Sequence, residues 1–215
     1  MSRTMRRADA FLRDDRGNLT MEFVLWLPLL LFWFVVSAVF YDAYKSRDAA
    51  AKASYTISDI VSRSTELGVN TIENLVSLQR ALLPRAGQTM WLRLSSIRCA
   101  NSDGCLDPSV AVQSDYEVEW SIVPDQPGWP DEFTKPTPYD DTSTLPINLM
   151  PPLSEDAEVV IVDVSVPFIP FADWVGIEAR EWTFQVVTWP RFVPAIDLST
   201  GAVIKYVTDG SGYIS

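Results

Sequence analysis

One carboxylate, Glu22, stands five residues after Gly17 at the threshold of an apolar run, Phe23 to Tyr41, that carries no charge. A carboxylate moved toward the centre of a bilayer costs about 2.5–3.5 kcal/mol on insertion scales, so an acid placed there needs a partner or a route back to water. Near a helix start it can snorkel to the headgroups, or it can pair with a cation as both leave water. Cys99 and Cys105 are the other reactive pair. In CANSDGC they flank Asn101-Ser102-Asp103-Gly104, a turn-forming run that suits a hairpin. Outside the cytoplasm they can close a small disulfide, contributing about 2–3 kcal/mol on the chain-entropy estimate. The alternative is two unpaired thiols on neighbouring strands.

Little else in the chain points to chemistry. It has no histidine, which removes Ser-His-Asp and Cys-His hydrolysis and histidine metal ligation. Two cysteines cannot supply the four ligands of a structural zinc site. Asn101, Asp103 and Gly104 match positions of a calcium loop, but Cys99 and Val110 would stand where ligands are required. The carboxylate pairs Asp140-Asp141, Glu155-Asp156 and Glu117/Glu119 read as solvated surface of an acidic chain. Neither a glycine-rich phosphate loop nor a nucleophile elbow occurs. The expectation is a protein without catalytic residues, cofactor or metal.

Charge is unevenly placed. Residues 1–17 carry five arginines against three aspartates, whereas residues 42–215 carry 12 basic residues against 24 acidic ones. A basic tail before a span and an acidic domain after it predict the N-terminus in the cytoplasm and the domain outside. So acidic a domain repels phosphate, which argues against nucleic acid as a partner. The 19 residues from Phe23 to Tyr41 make about 28 Å of helix, enough to cross a hydrocarbon core of about 30 Å. Trp26 and Trp33 share a helix face, and Tyr41 and Tyr44 sit at the exit. The run is longer than the core of a secretory signal peptide. Arg6-Arg7 with Phe11-Leu12 hints at a twin-arginine signal, but the apolar pair follows too far on. An uncleaved signal anchor accounts for everything except Gly17 and Glu22.

Gly17, four residues, then Glu22 and Phe23 ahead of the span resemble a type IVb prepilin processing site. The wider stretch FLRDDRGNLTMEFVLWLPLLL is similar to the N-terminus of TadE-like minor pseudopilins of tight-adherence (Tad, or Flp) pili. That family pattern has a short basic leader, Asp-Arg-Gly, the glutamate, and a proline early in the apolar run, here Pro28. ASYTISDIVSR, VVIVDVSVPFIPF and WPRFVPAI also resemble family segments, although Ala195 stands where the family often has a second arginine. The resemblance implies cleavage between Gly17 and Asn18 by a prepilin peptidase on the cytoplasmic face. It places the chain in the bacterial inner membrane, single-pass, with its domain in the periplasm. The implied partners are the peptidase, other pilins and pseudopilins, the inner-membrane assembly platform and the lipid bilayer. A glycine offers no side chain to obstruct a protease subsite, and the cut exposes an α-amino group at Asn18. Glu22 would then lie about 6 Å along the helix from Asn18, where it can pair with the α-amino group of a neighbouring subunit and set register. Pro28 removes a helix hydrogen bond and predicts a kink.

The remaining elements follow from periodicity. DAYKSRDAAAKASYTISDIVSR continues the helix, with an apolar stripe at Ala49, Ala53, Ile57, Ile60 and Val61, an Asp59–Arg63 pair and a stop at Gly68. A second helix is predicted from an Asn70 cap with Glu73, through Ile72, Leu75, Val76, Leu82 and Leu83, to Pro84. The period then changes to two at Met90–Ser95 and at Asp115–Ile122; AEVVIVDVSV reads as a buried-type strand broken only by Asp163, EWTFQVVTW alternates again, and a further short strand is expected at 202–207. Pro124 to Leu153, with eight prolines, predicts a long surface loop. The expected fold class is α+β: a transmembrane helix extended into a long pilin-like helix, a short helix, and an antiparallel sheet of about four strands. The expected organisation is a leader at 1–17, a membrane helix at 18–41, a helical segment at 42–84 and a β-rich domain at 85–215.

Overall fold

A computed structural model of the chain describes residues 16–82, 90–100, 105–107, 109, 111–124, 129–134, 136–139, 145–172, 174 and 176–198. Its first element, α1 (Arg16–Ser62), runs 47 residues and continues through Pro28. Two tightened turns end it: Arg63 N donates to Ile60 O at 3.2 Å and Ser64 N to Val61 O at 3.0 Å. Arg191 N reaches in from far along the chain to the Ser62 carbonyl at 2.8 Å, capping an acceptor the helix leaves free.

Gly68 is not the stop predicted for this helix. Its φ of −95° and ψ of 166° are extended backbone, and it is the N-cap of α2 (Val69–Ala81). Between the helices, β1 (Glu66–Leu67) pairs in parallel with β6 (Asp197–Leu198), and this long-range pairing turns the chain where no local signal would. The Asn70 cap is likewise corrected. Ile72 N donates to Gly68 O at 3.1 Å, so the helix begins at Val69 and Asn70 lies inside its first turn. Ile72, Leu75, Val76 and Gln79 form the buried face of α2. Leu83 and Pro84 fall outside the described residues, as does the strand expected at 202–207.

Four strands make one antiparallel sheet in the order β3-β2-β4-β5: β2 is Trp91–Cys99, β3 Tyr116–Ile122, β4 Glu158–Phe168 and β5 Arg180–Thr188. The α+β order expected from the sequence is the order observed. The two central strands are buried on both faces, and β4 is buried along its whole length. On one face, Leu92, Leu94, Val160, Val162 and Val164 pack with Ala50, Ala53, Ile57 and Val61 of α1 and with Leu75 and Val76 of α2. Each fully buried branched side chain contributes about 1.5–3 kcal/mol relative to exposure. The stripe on α1 is shifted from the predicted one: Ala50 replaces Ala49, and Ile60 stays exposed. Ser54, Ser58 and Ser62 complete this face. Their small size permits close approach, and Ser54 and Ser62 donate to the carbonyls of Ala51 (2.8 Å) and Asp59 (2.9 Å).

The opposite face of the sheet is covered too, which corrects the reading of 124–153 as a surface loop. Leu145, Met150 and Leu153 are buried against Ile97, Val159 and Ile161 in a second apolar cluster. Among the described residues of this segment the only helical turn is a short one at Ile147–Leu149. Its described residues form a cover layer with no strand and no helix beyond that turn.

Two compact units can be separated. One joins α1 through Asp42 with Pro170–Ile177; the other holds Ala43–Ile169 and the chain from Glu178 onward.

Candidate functional site

In the first unit, residues 21–34 of α1 are exposed on every side, including Glu22, Phe23, Trp26 and Trp33. In a water-soluble protein a helix turns such a run inward; here the apolar atoms stay outside. Among the described residues this is the one helix long and apolar enough to cross a membrane. Tyr41 and Tyr44, also exposed, mark its far end. Gly17 and Asn18 lie in the first turn of α1, with side chains outside the described residues. In the first unit the helix exposes Glu22, Phe23 and Pro28; in the second, its stretch from Ala50 to Val61 carries the sheet-packing stripe.

The second unit holds a charged cluster that sequence reasoning missed. Arg93 and Asp163 are direct cross-strand partners on β2 and β4. Asp163 Oδ2 accepts from Arg93 Nε at 2.7 Å and lies 2.6 Å from Nη2. The Asp163 side chain is fully buried, while that of Arg93 retains 14% exposure. Arg93 Nη1 also donates to Thr137 O at 2.9 Å, and its guanidinium carbon stands 3.5 Å from the centre of the Tyr139 ring. Gln185 Nε2 of β5 completes the group, 3.3 Å from the Tyr139 hydroxyl. Arg93 therefore clasps the proline-rich segment to the sheet. Burial pushes the Asp163 carboxyl up from its ordinary range, against the pull of Arg93. Burial, with the Asp163 charge second, pushes the Tyr139 hydroxyl up to about 12. A sealed carboxylate held by an arginine presents no atom to a substrate in this conformation; its work is to hold two layers together. The sequence signal was available, since Asp163 alone interrupts an apolar strand.

Three smaller polar contacts border the same sheet. Glu158, nearly buried, accepts from the Ser96 hydroxyl, and burial raises its carboxyl pKa. Nearby, Trp120 Nε1 donates to Ile196 O at 2.8 Å, tying the chain before β6 to the sheet. Arg98 bridges Glu117 and Glu119 at 2.6 Å each on the exposed side. No group of three metal-ligating side chains occurs among the described residues.

Cys99 and Cys105 are joined in a disulfide, Cα to Cα 6.1 Å, and both are buried. They are not on neighbouring strands. Tyr116 of β3 opposes Cys99, and Cys105 lies in the connection between β2 and β3. The bond pins that connection to the strand end, where Leu153 N donates to Cys105 O at 2.9 Å. Reducing it is expected to lower the unfolding free energy by about 2–3 kcal/mol, the cost of reopening a short loop. Urea midpoints of the oxidised and reduced protein, taken with their slopes, measure this.

Comparison of the chain with family models, with curated proteins and with solved structures finds no match.

Proposed function

We propose that this chain is a structural assembly subunit of a bacterial surface fibre: a minor pseudopilin of the tight-adherence type. It is made as a single-pass inner-membrane precursor with its N-terminus in the cytoplasm and its sheet domain in the periplasm. A prepilin peptidase cuts between Gly17 and Asn18. The mature helix packs with other pilins and pseudopilins, in the membrane and in or on the pilus, with Glu22 setting register and Pro28 letting the rod bend.

The observation that carries this reading is one uninterrupted helix with two different surfaces. Its first half is apolar and exposed to residue 34, and its second half is buried by a small α+β domain. An exposed apolar rod has no stable place in water and requires lipid or the rods of neighbouring subunits. The Gly17–Glu22–Phe23 spacing supports the processed form over a permanent tether.

The test is the mature N-terminus, read by mass spectrometry on protein extracted from membranes of cells with and without a prepilin peptidase. A chain beginning at Asn18 only when the peptidase is present is the expected result. Persistence of Met1 or Ser2 in both would make the protein an uncleaved, membrane-anchored binding domain.

A further inference from the structure

The four-stranded sheet ends at two edge strands, β3 and β5, and among the described residues neither has a strand on its outer side. β5 pairs with β4 without a shift from Arg180 to Thr188 and contains neither proline nor lysine. Proline, lysine, a bulge or a very short strand are the usual guards of such an edge, and β5 has none of them. Its outward N–H and C=O groups are a template for another strand. Trp182, Phe184 and Val186 stand half-buried along it, on the face of the sheet that α1 covers. Two cations lie on those rings: Arg47 is 5.9 Å from the Phe184 centre and Arg180 5.4 Å from that of Trp182. Neither has an ion-pair partner among the described residues. The β3 edge is opposite in charge. There Arg98 alone is shared by Glu117, Glu119 and Asp156, which leaves an excess of acid.

We infer that β5 of one copy takes β3 of a second copy of this chain as its next strand, so that the sheet continues from subunit to subunit. The inference rests on the reading of the chain as a fibre subunit held beside its neighbours in one membrane. Direction supports this occupant. Every adjacent pair in the sheet is antiparallel, so β5 runs opposite to β3. Copies anchored in one membrane face the same way, and each therefore offers its neighbour's β5 an antiparallel β3. Charge excludes the symmetric alternatives. β3 against β3 would set Glu117 and Glu119 against themselves, and β5 against β5 would do the same with Arg47 and Arg180. Register is consistent as well. Glu117 opposes Arg98, which opposes Glu158, two residues from Val160, so Glu117 and Phe184 share the face that α1 covers. Setting Phe184 opposite Glu117 brings a carboxylate to Arg47, sets Thr183 opposite Val118, and carries Glu119 toward Trp182 and Arg180. The contact is short, because β3 changes register beyond Val118. It acts between chains that their helices already hold together, where the local concentration is high. Such a contact does not close on itself: each added copy leaves its own β5 open for the next.

The experiment uses the full chain in proteoliposomes, where paired Cys99 and Cys105 leave only introduced cysteines to react. One tagged population carries Thr183→Cys and another Val118→Cys, and a short bismaleimide is added to each alone and to their mixture. The expected result is a cross-linked pair in the mixture about 10-fold above that in either population alone. A chain carrying both substitutions should give a ladder of multimers. Adding Arg47→Glu and Arg180→Glu to the Thr183→Cys chain should abolish the cross-link. Adding Glu117→Lys and Glu119→Lys to its Val118→Cys partner should then restore it, which only folded variants can do. Equal yields in the mixture and in either single population overturn the head-to-tail contact. Hydrogen exchange of the wild-type chain gives a second reading that needs no substitution. The Arg180–Thr188 peptide should exchange about 10-fold more slowly in crowded liposomes than in liposomes holding one copy each. Exchange that is the same at both densities overturns the contact: fast, the edge stays open; slow, the chain covers its own edge. Correct processing at Asn18 with no cross-link overturns the sheet contact alone. A cross-link in a chain that is never processed leaves the contact standing and overturns the pseudopilin reading.

Discussion

Arg93→Met lowers the unfolding free energy by about 3–5 kcal/mol at neutral pH, the range found when one partner of a buried ion pair is removed. The reason is the partner left behind. Asp163 is fully buried and takes both close contacts from the Arg93 guanidinium. Losing Arg93 also frees the Thr137 carbonyl and the Tyr139 ring, so the cover layer loses its clasp as well. Asp163→Asn should cost less, because Arg93 keeps its bond to Thr137, its stack on Tyr139 and some access to water. Replacing both, as Arg93→Met with Asp163→Leu, should return most of the lost stability, since an apolar pair has no charge to desolvate. The pH dependence has a definite sign. Burial holds the Asp163 carboxyl above its ordinary value even with Arg93 present, and removing Arg93 removes the main influence lowering it. A group whose folded pKa is raised contributes most below its unfolded pKa, and that contribution is lost as pH rises through the folded pKa. The Arg93→Met deficit, measured against wild type by urea denaturation of the full chain in detergent, should therefore shrink between pH 7.5 and pH 4.5. In Arg93→Met/Asp163→Asn that pH dependence should vanish. A deficit that is pH-independent in Arg93→Met would place the cost in lost packing rather than in the stranded carboxylate.

The contrast between this clasp and the helices says what a sequence can show. Periodicity and apolar runs are local, so the long helix, the second helix and the four strands stand close to where the sequence placed them, although β2 runs four residues past the predicted Ser95. Features that depend on partners distant in sequence were invisible. Gly68 read as a helix stop because nothing nearby reveals that Glu66–Leu67 pairs with Asp197–Leu198. Asp163 read as a break in a buried strand because its neutralising arginine is 70 residues earlier. The proline-rich segment read as surface because its buried side chains, Leu145, Met150 and Leu153, follow no period at all. Ser54 and Ser62 of α1 satisfy their hydroxyls on their own helix and join the packed face, which an apolar stripe alone does not reveal.

On the proposed reading of the chain as a pseudopilin, Glu22→Ala should enter the membrane at least as well as wild type and yet enter the fibre about 100-fold less. The first half follows from insertion energetics. Removing a carboxylate at the threshold of the apolar run removes a cost of up to about 2.5–3.5 kcal/mol, so no loss of membrane-extracted protein is expected. The second half depends on what Glu22 meets in the assembled state. If it pairs with the α-amino group of Asn18 on a neighbouring subunit as both leave water, its loss strands a cation, and about 3 kcal/mol amounts to roughly 100-fold in association. Were Glu22 only one of several polar contacts between helices, each worth about 0.6–1.7 kcal/mol, the loss would be about 3- to 18-fold. Were it simply reaching back to the headgroups, assembly would not change. The size of the defect thus separates the three cases. Glu22→Gln tests the charge itself and should behave like Glu22→Ala, whereas Glu22→Asp keeps the charge on a shorter arm and should recover most of the wild-type level. Incorporation is read as the ratio of this chain in sheared fibres to that in membranes, with the N-terminus of each variant checked so that a processing defect is not mistaken for an assembly defect. Normal incorporation of correctly processed Glu22→Ala would remove the register role and leave Glu22 reaching back to the headgroups.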